Sequence, residues 1–391
     1  MDAAKLRAWW SAKQGLDGSL DGKSPAEVLE RSGWARSVGG VGPYLTLYAR
    51  AGIGRAEADR AVASLEIHEL PAARGCTYVV PSKDFALALK VGMGFNEADM
   101  KTAAKLGVTE KEVERLCDAV VRAVEKEPLD PDAIREAVGS AARSLGEAGK
   151  KKGMNSTLPL ALGRLQTRGA IRRVPTNGRL DQQRYRYVAW RPNPLTKFAL
   201  DDEESLVELG RRYFRWVGPA TLAEFQWFAG ASAKTAKAAL EPLKLVAVEG
   251  ERLLLPDERD AFARFKSPAK SNYMLVSSLD SLFAHRRELA SLLEESDARH
   301  PLLRPTGRAG GALLDLPSHA IVDRGRIAGL WEYDPETEAI ACCAFAGKDK
   351  AIAAAVDKTA KWIKKDLGDA RSFSLDSPKS RAPRITALRR A

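Results

Sequence analysis

The stretch TLPLALGRLQTRGAIRRVPTNGRLDQQRYRYVAW, residues 157–190, contains a helix and then a hairpin. Its first part repeats leucine at helical spacing, at Leu158, Leu162 and Leu165. Gly169 is a helix stop signal, and two strand-type runs follow at 170–174 and 184–190. Proline, asparagine and glycine residues between these runs favour a turn. The stretch therefore predicts a helix followed by a two-stranded β-hairpin.

Two more helices are predicted before this stretch. Thr109 and Glu112 form a capping-box pattern at the start of an amphipathic run. Pro128 stops that run, and Asp130 followed by proline starts the next helix. Three helices and then a hairpin is the order of a winged helix, a variant of the helix-turn-helix whose third helix enters the major groove of DNA.

The same order recurs twice more along the chain. Three helices are predicted to begin at caps, the first at Asp202, the second at a capping box that starts with Thr221, and the third at Ser232. Strands at 245–248 and 252–255 follow. A weaker N-terminal copy has helices at 3–14, 25–36, 44–51 and 55–65, then strands at 67–70 and 76–80. The sequence thus predicts an α+β fold, mainly helical, in which tandem winged-helix units form a concave array.

The predicted organisation has five parts. From about Tyr273 the pattern changes to mixed strands and a closing helix at 348–366, which predicts a C-terminal domain of another kind. Residues after Ser372 are expected to be mobile. The boundaries are 1–82 for the first unit, 83–194 for the second unit with its basic wing, 195–268 for the third unit, 269–372 for the mixed strand and helix domain, and 373–391 for a basic tail.

The positive charge is concentrated in one segment. The formal net charge is +11, and residues 143–191 contain twelve Lys and Arg against two acidic residues. The tail after Ser377 adds five more basic residues and no acid. Basic residues on this architecture can contact phosphates and release counterions, so the expected partner is double-stranded DNA. The candidate DNA-binding residues of the second and third helical units are Arg164, Arg168, Arg172, Arg173, Arg179, Arg184, Arg186, Lys234 and Lys237.

Other classes of protein are disfavoured by composition. No apolar run is long enough for a transmembrane helix, and the N-terminus lacks the features of a signal peptide. The four cysteines have the spacing of neither a disulfide framework nor a zinc site. We expect a monomer in the cytoplasm, associated with the nucleoid in a bacterium, that uses no metal or other cofactor.

Five motifs together resemble the AlkZ/YcaQ-like DNA glycosylases, and they occur in the family's order between about Ala4 and Lys365. They are QGL at 14–16, RGCTYVVP at 74–81, RRYFRWVGPAT at 211–221 with Trp227 and Gly230, LVSSLD at 275–280, and VDRGRIAGLW at 322–331. The resemblance implies a DNA cradle of tandem winged helices. It also implies hydrolytic removal of alkylated bases, crosslinked ones included, without a metal or organic cofactor.

The catalytic motif of that family is absent. The family carries Gln-x-Gln or Gln-x-Asp just before a helix that YLTLYAR at 44–50 resembles. Here the preceding residues are SVGGVGP at 37–43, and neither Gln, Asp nor Glu occurs between Gly33 and Tyr44. Arg50 and Arg74 match family arginines, which leaves two alternatives for each, a DNA phosphate contact or a buried ion pair.

Asp280 is the best alternative catalytic acid, because it matches a family position and is followed by Arg286 and Arg287. The competing interpretation is a cap or an ion pair at a helix start. His68 and His285 have no metal-spaced partners, so packing is the expected role of both. Two functions stay open: a glycosylase with another catalytic group, or a non-enzymatic DNA-binding protein that regulates transcription or recognises damage.

Overall fold

The computed structural model describes residues 2–286, 288–303, 313–347 and 349–391. The chain has a mixed α/β fold, and about half of its residues are helical. Its first part contains helices α1 (Ala3–Lys13) and α2 (Pro25–Ser32), strand β1 (Ala35–Arg36), helices α3 (Gly42–Ala51) and α4 (Arg55–Ala63), and strands β2 (Ile67–Pro71) and β3 (Thr77–Pro81). The strands form an antiparallel sheet in the order β1-β3-β2.

The predicted helix at 25–36 was too long. Helix α2 begins with a capping box between Ser24 and Glu27 and ends at Gly33, whose φ of 91° is the left-handed region that favours glycine. Trp34 follows, and then the chain enters β1. A side chain at Gly33 would also collide with the His285 ring, since a Cβ there would lie 2.6 Å from its Cε1 atom.

The second part contains the three predicted helices and the hairpin, together with two helices before them and a short one among them that were not predicted. It contains α5 (Phe85–Gly92), α6 (Asn96–Ala104), α7 (Glu110–Val124), α8 (Pro131–Val138), the short α9 (Gly146–Lys150), α10 (Leu158–Thr167), β4 (Ile171–Pro175) and β5 (Tyr185–Ala189). Thr109 and Asp130 cap α7 and α8 as expected. Helices α7, α8 and α10 pack around one apolar core that includes Val120, Ile134 and Leu162.

The third part repeats this order. It contains α11 (Asp202–Val217), α12 (Leu222–Ala229), α13 (Ala233–Leu240), β6 (Val246–Glu249), β7 (Arg252–Leu254) and α14 (Arg259–Arg264). The capping box of α12 between Thr221 and Glu224 is present, and Ser232 caps α13. The cap of α11 is Asp201 and not the predicted Asp202.

A second, larger sheet dominates the C-terminal part. Its elements are β8 (Tyr273–Val276), α15 (Ser281–Ala284), β9 (His319–Asp323), β10 (Arg326–Asp334), β11 (Ala339–Ala344), α16 (Lys350–Trp362) and α17 (Pro378–Arg390). The four strands are antiparallel in the order β11-β10-β9-β8. A π-helical turn, Ile363–Leu367, extends α16 to the predicted end, whereas Lys348 at its predicted start lies outside the described residues.

The basic tail is ordered, contrary to expectation. Residues 378–390 form α17, which packs on β10 and β11 and buries Ile385 and Leu388. Three of its arginines pair with acids outside the helix: Arg381 with Asp369, Arg384 with Glu332 and Asp376, and Arg389 with Asp334. The helix contains no acid, and acids outside it pair with three of its arginines. The composition of the tail alone did not reveal these pairs.

The apolar cores cross the boundaries that the sequence suggested. Trp34, Trp190 and Tyr213 come from three different predicted units and lie in one core. Leu47, Leu180 and Trp331 share a second one. The helical units are therefore packed against one another and against the C-terminal sheet through shared apolar contacts.

Candidate nucleic-acid interface

The loop of residues 37–43, here called the glycine loop, lies at a junction of three chain segments. It connects β1 to α3 and contacts the β4–β5 turn and residues 371–374. The backbone N–H of Val41 donates to the carbonyl of Arg371 at 2.9 Å, and the N–H of Ser374 donates to the carbonyl of Val38 at 3.0 Å. The position of the family's catalytic motif, just before α3, is thus tied to a segment near the C-terminus.

Two positions of this loop require glycine, because neighbouring segments of the chain approach the backbone closely there. Gly39 has a φ of 74°, and a Cβ there would lie 2.5 Å from Cγ of Gln183. A Cβ at Gly40 would lie 2.2 Å from the carbonyl oxygen of Ser372. The glycine pair therefore serves packing against the two neighbouring segments and leaves no room for a side chain.

The β4–β5 hairpin places its arginines on two different faces. Arg173 lies opposite Tyr187 in the register, its guanidinium lies 4.7 Å from the centre of the Tyr185 ring, and it donates to Thr77 Oγ1 at 3.2 Å. This face packs toward β2. Strand alternation puts Arg172 and Arg186 on the other face. Arg173 is therefore turned inward, away from a ligand on the outer face.

Arg184 and Arg186 are the free cations of the hairpin. Both are exposed, and in the described part of the chain no hydrogen bond or ion pair joins either guanidinium to another residue. Arg172 is half-buried, and burial lowers its pKa. Arg179 in the turn is engaged, because it pairs with Asp181 and donates to the carbonyl of Leu367 at 3.0 Å.

The other predicted DNA-binding side chains differ in their ion pairs and in their exposure to solvent. On α10, Arg164 pairs with Glu110 and Glu114, and Arg168 pairs with Glu114. The arginine side chains are 14% and 48% exposed respectively, so only Arg168 has substantial access to solvent. On α13, Lys234 and Lys237 are both exposed.

Arg50 and Asp280 form a buried ion pair. Two nitrogens of the guanidinium donate to the two carboxylate oxygens at 2.7 Å each, and both side chains are completely buried. Arg50 also donates to Gln14 and Ser281, while Asp280 caps α15 through the N–H of Leu282. Of the two alternatives for Arg50, a DNA phosphate contact or a buried ion pair, the structure has the buried ion pair. Both oxygens of Asp280 are occupied, so its surroundings give no support to the predicted catalytic role.

Arg286, the first of the two arginines that follow Asp280, is not an exposed partner for it either. Arg286 is buried, lies 3.8 Å from the centre of the Trp10 ring, and donates to the carbonyl of Val217 at 2.6 Å. Burial lowers the pKa of Arg286 to about 10. Arg287 lies outside the described residues.

Arg74 lies at the mouth of a cavity of about 320 Å³. Its guanidinium is 3.6 Å from the centre of the Trp227 ring, which is a cation–π contact. Arg36, Ser278 and Phe283 also line this cavity. Arg74 is therefore partly accessible and makes no ion pair with another described residue, so the buried-ion-pair alternative does not hold for it.

A buried carboxylate beside the glycine loop was missed by the sequence analysis. Ser37, the first residue of the loop, donates its hydroxyl to Glu69 Oε1 at 2.5 Å, and both residues are less than 5% exposed. Glu69 Oε2 and the Tyr185 hydroxyl are buried without a hydrogen-bond partner among the described residues. Burial and the charge of Glu69 raise the pKa of Tyr185. The signal available in the sequence was an acid within a strand-type run that also contains Ile67 and Leu70.

His68, next to Glu69, is an apolar packing residue. It lies in edge-to-face contact with Phe85 and Trp190, and neither ring nitrogen has a hydrogen-bond partner among the described residues. Burial, together with the nearby charges of Arg172 and Arg173, lowers the pKa of His68 to about 3. In the described residues, His, Cys, Asp and Glu form no cluster of three that would hold a metal ion.

The comparisons with known proteins agree with the motifs. A family model described as DNA glycosylase AlkZ-like matches residues 41–362. The chain belongs to the AlkZ-like DNA glycosylase family. The predicted resemblance is thereby confirmed. A search of curated proteins finds no match.

The solved structure of Streptomyces sahachiroi DNA glycosylase AlkZ shows that this AlkZ-like chain shares its fold. The TM-score is 0.69 at 17% sequence identity, and the match covers 95% of this chain and 98% of that one. Within the described residues, none of the helices is both long and apolar enough to cross a bilayer.

Replacing Asp280 separates a structural role from a catalytic one. Asp280→Asn leaves Arg50 buried without its counter-charge, so we expect the free energy of unfolding to fall by about 3 kcal/mol or more. Urea denaturation followed by circular dichroism measures this change. Asp357→Asn, which removes an exposed partner of Lys361, is the control and should cost less than about 0.5 kcal/mol. Equal stability of Asp280→Asn and the native protein would contradict the structural role.

Replacing His68 tests its burial through the dependence of stability on pH. The unfolded chain binds a proton near pH 6.5 and the folded one only near pH 3, so stability is complete above pH 6.5 and is lost as the pH falls toward 3. We expect the native protein to lose about 2 kcal/mol more between pH 7 and pH 5 than His68→Leu. Urea unfolding at both pH values measures this, with His300→Gln as control. Parallel losses in the native protein and His68→Leu would show that His68 is not buried in its neutral form.

Proposed function

We propose that this protein binds duplex DNA as a DNA-repair protein, with the hairpin β4–β5 as its principal contact. The observation that carries this proposal is the pair of exposed arginines without partners, Arg184 and Arg186, beside the loop that precedes α3. A free guanidinium can bind a phosphate without first losing an ion pair, so it contributes fully to counterion release. Membership of a DNA glycosylase family supports the choice of partner.

The proposal includes the winged-helix interpretation of the helical units. In the second part α7, α8 and α10 precede the hairpin, with the short α9 between α8 and α10, and in the third part α11, α12 and α13 precede one. The last helix of each set would be the one that enters the major groove. Arg168 on α10 and the two lysines on α13 would then approach the phosphates. Arg164 contributes less, because its two ion pairs with glutamates would have to be exchanged for a phosphate.

Removing the free cations of the hairpin should weaken DNA binding in a salt-dependent way. For the double variant Arg184→Ala/Arg186→Ala we expect a plot of log affinity against log salt that is shallower by about 0.9 per lost phosphate contact, or about 1.8 in all. Fluorescence anisotropy of a labelled duplex at several salt concentrations measures the slope. Arg299→Ala, which removes an exposed arginine paired with Glu295, is the matched control. An unchanged slope in the double variant would exclude the hairpin as the contact.

We further propose that the repair reaction is hydrolytic removal of an alkylated base. Water adds to the C1′ atom of the sugar, the C1′–N bond breaks, and a cationic alkylated base leaves as a neutral molecule with the bonding electron pair. The proton that the water loses needs an acceptor. Glu69 is the carboxylate that supports this role, because it is hydrogen-bonded to the first residue of the glycine loop and lies beside the Tyr185 hydroxyl.

Burial sets a condition on this chemistry. Ser37 and Glu69 are buried, so the glycine loop has to shift on DNA binding before Glu69 can meet a water beside the sugar. The second candidate function is therefore recognition of damage without excision. Two features support it: the loop carries no Gln, Asp or Glu, and its backbone is hydrogen-bonded to the segment at 371–374.

A single-turnover assay distinguishes the two candidates. The protein is incubated with duplexes that contain 7-alkylguanine or a crosslinked base, and abasic sites are scored after alkaline cleavage. Excision by the proposed group predicts that Glu69→Gln lowers the rate by at least about a hundredfold with unchanged duplex affinity. Asp280→Asn, corrected for its folded fraction, serves as the control. Duplex binding by the native protein without abasic sites would eliminate excision and leave recognition.

A further inference from the structure

Two of the most exposed apolar side chains lie together in one turn. In the described part of the chain, three large apolar side chains are exposed: Leu314 at 40%, Phe373 at 43% and Leu375 at 83%. Phe373 and Leu375 are separated by Ser374 alone, in the segment at 372–376 that precedes α17 and is here called the apolar turn. Exposure of two neighbouring large apolar groups is unfavourable in water, which points to a partner surface.

The apolar turn is held in place by its own hydrogen bonds. The N–H of Asp376 donates to the carbonyl of Phe373 at 3.0 Å, and that of Ser372 donates to Asp376 Oδ2 at 3.1 Å. Asp376 is buried and paired with Arg384 of α17 at 2.8 Å, while the N–H of Ser374 is bonded to the glycine loop. The two apolar side chains therefore project from a fixed backbone, and a fixed backbone binds with a smaller loss of conformational entropy.

The surroundings of the apolar turn are those of a nucleic-acid contact. A cavity of about 460 Å³ beside it is lined by Gln182, Gln183, Arg184, Arg371 and Ser374. Amide and guanidinium groups of this kind contact the edges of bases in the minor groove and the flanking phosphates. Arg184 has no ion pair, so the positive charge next to the exposed apolar groups is available to a polyanion. This charge favours DNA over a protein surface as the occupant.

We infer that the apolar turn is a wedge that enters the minor groove of bound duplex DNA and separates one base step. Phe373 and Leu375 insert between the bases, while Gln182, Gln183 and Arg184 contact the groove beside them. Side chains of this type unstack base steps and kink the duplex, which exposes a base to an adjacent pocket. The inference rests on duplex binding from the proposed function, but it holds whether or not a base is excised.

The wedge can be tested without loss of folding, because both side chains lie on the surface. The probe is a duplex with 2-aminopurine at one position, whose fluorescence rises when the base is unstacked. We expect the native protein to raise this fluorescence and Phe373→Ser/Leu375→Ser to leave it at the level of free duplex. The double variant should also bind about tenfold more weakly, with the native salt slope, since no phosphate contact is lost. Leu314→Ser, at the other exposed apolar side chain, is the matched control and should behave as the native protein.

Three other outcomes would overturn the inference, and they differ in what they leave of the proposed function. Equal fluorescence changes for the native protein and the double variant, with salt-sensitive binding of both, would overturn the wedge and leave the proposed function intact. A native protein that does not bind the duplex at all would overturn both. A native protein that self-associates in sedimentation while the double variant does not would assign the apolar turn to contact between copies of the chain.

Discussion

The buried pair of Arg50 and Asp280 is the constraint on which the arrangement of the site depends. Burying two charges is costly, and the cost is offset when the two charges meet in good geometry and further hydrogen bonds hold them. Here the guanidinium of α3 is held by the carboxylate that caps α15 and by Gln14 behind α1. The pair therefore fixes α3 against the C-terminal part of the chain. Because the glycine loop leads directly into α3, its position follows from this pair.

Some basic residues of the chain form ion pairs with acids, and others have no acidic partner. In α17, three arginines are bound to acids of the C-terminal part, so the tail contributes to packing and not to an open basic arm. On α10, glutamates of α7 hold the two arginines. Arg184 and Arg186 at the hairpin are left without partners among the described residues. Net charge indicates a polyanionic partner, but the surface that can bind it is set by which cations have no acid nearby.

The departure from the family's catalytic pattern has a structural counterpart. The loop before α3 carries no Gln, Asp or Glu, and its glycines Gly39 and Gly40 lie in contact with Gln183 and Ser372. A larger side chain at Gly39 or Gly40 would displace these segments. The glycines thus allow the segment at 371–374 to dock over the loop. That docking also fixes the apolar turn beside the hairpin and brings the two proposed DNA contacts together.

Local signals in the sequence determined much of the fold: capping boxes at Thr221 and a cap at Ser232, the leucine spacing of α10, and the strands of the two hairpins. These features depend on residues that are close together in the sequence, so a single sequence is enough to recognise them. The motifs also identified the family. Only the tertiary structure decided which charges are paired, that Asp280 is buried, that the tail forms a helix, and that Glu69 and Phe373 lie near the glycine loop. These depend on contacts between residues that are far apart in the chain, and composition or periodicity does not encode them.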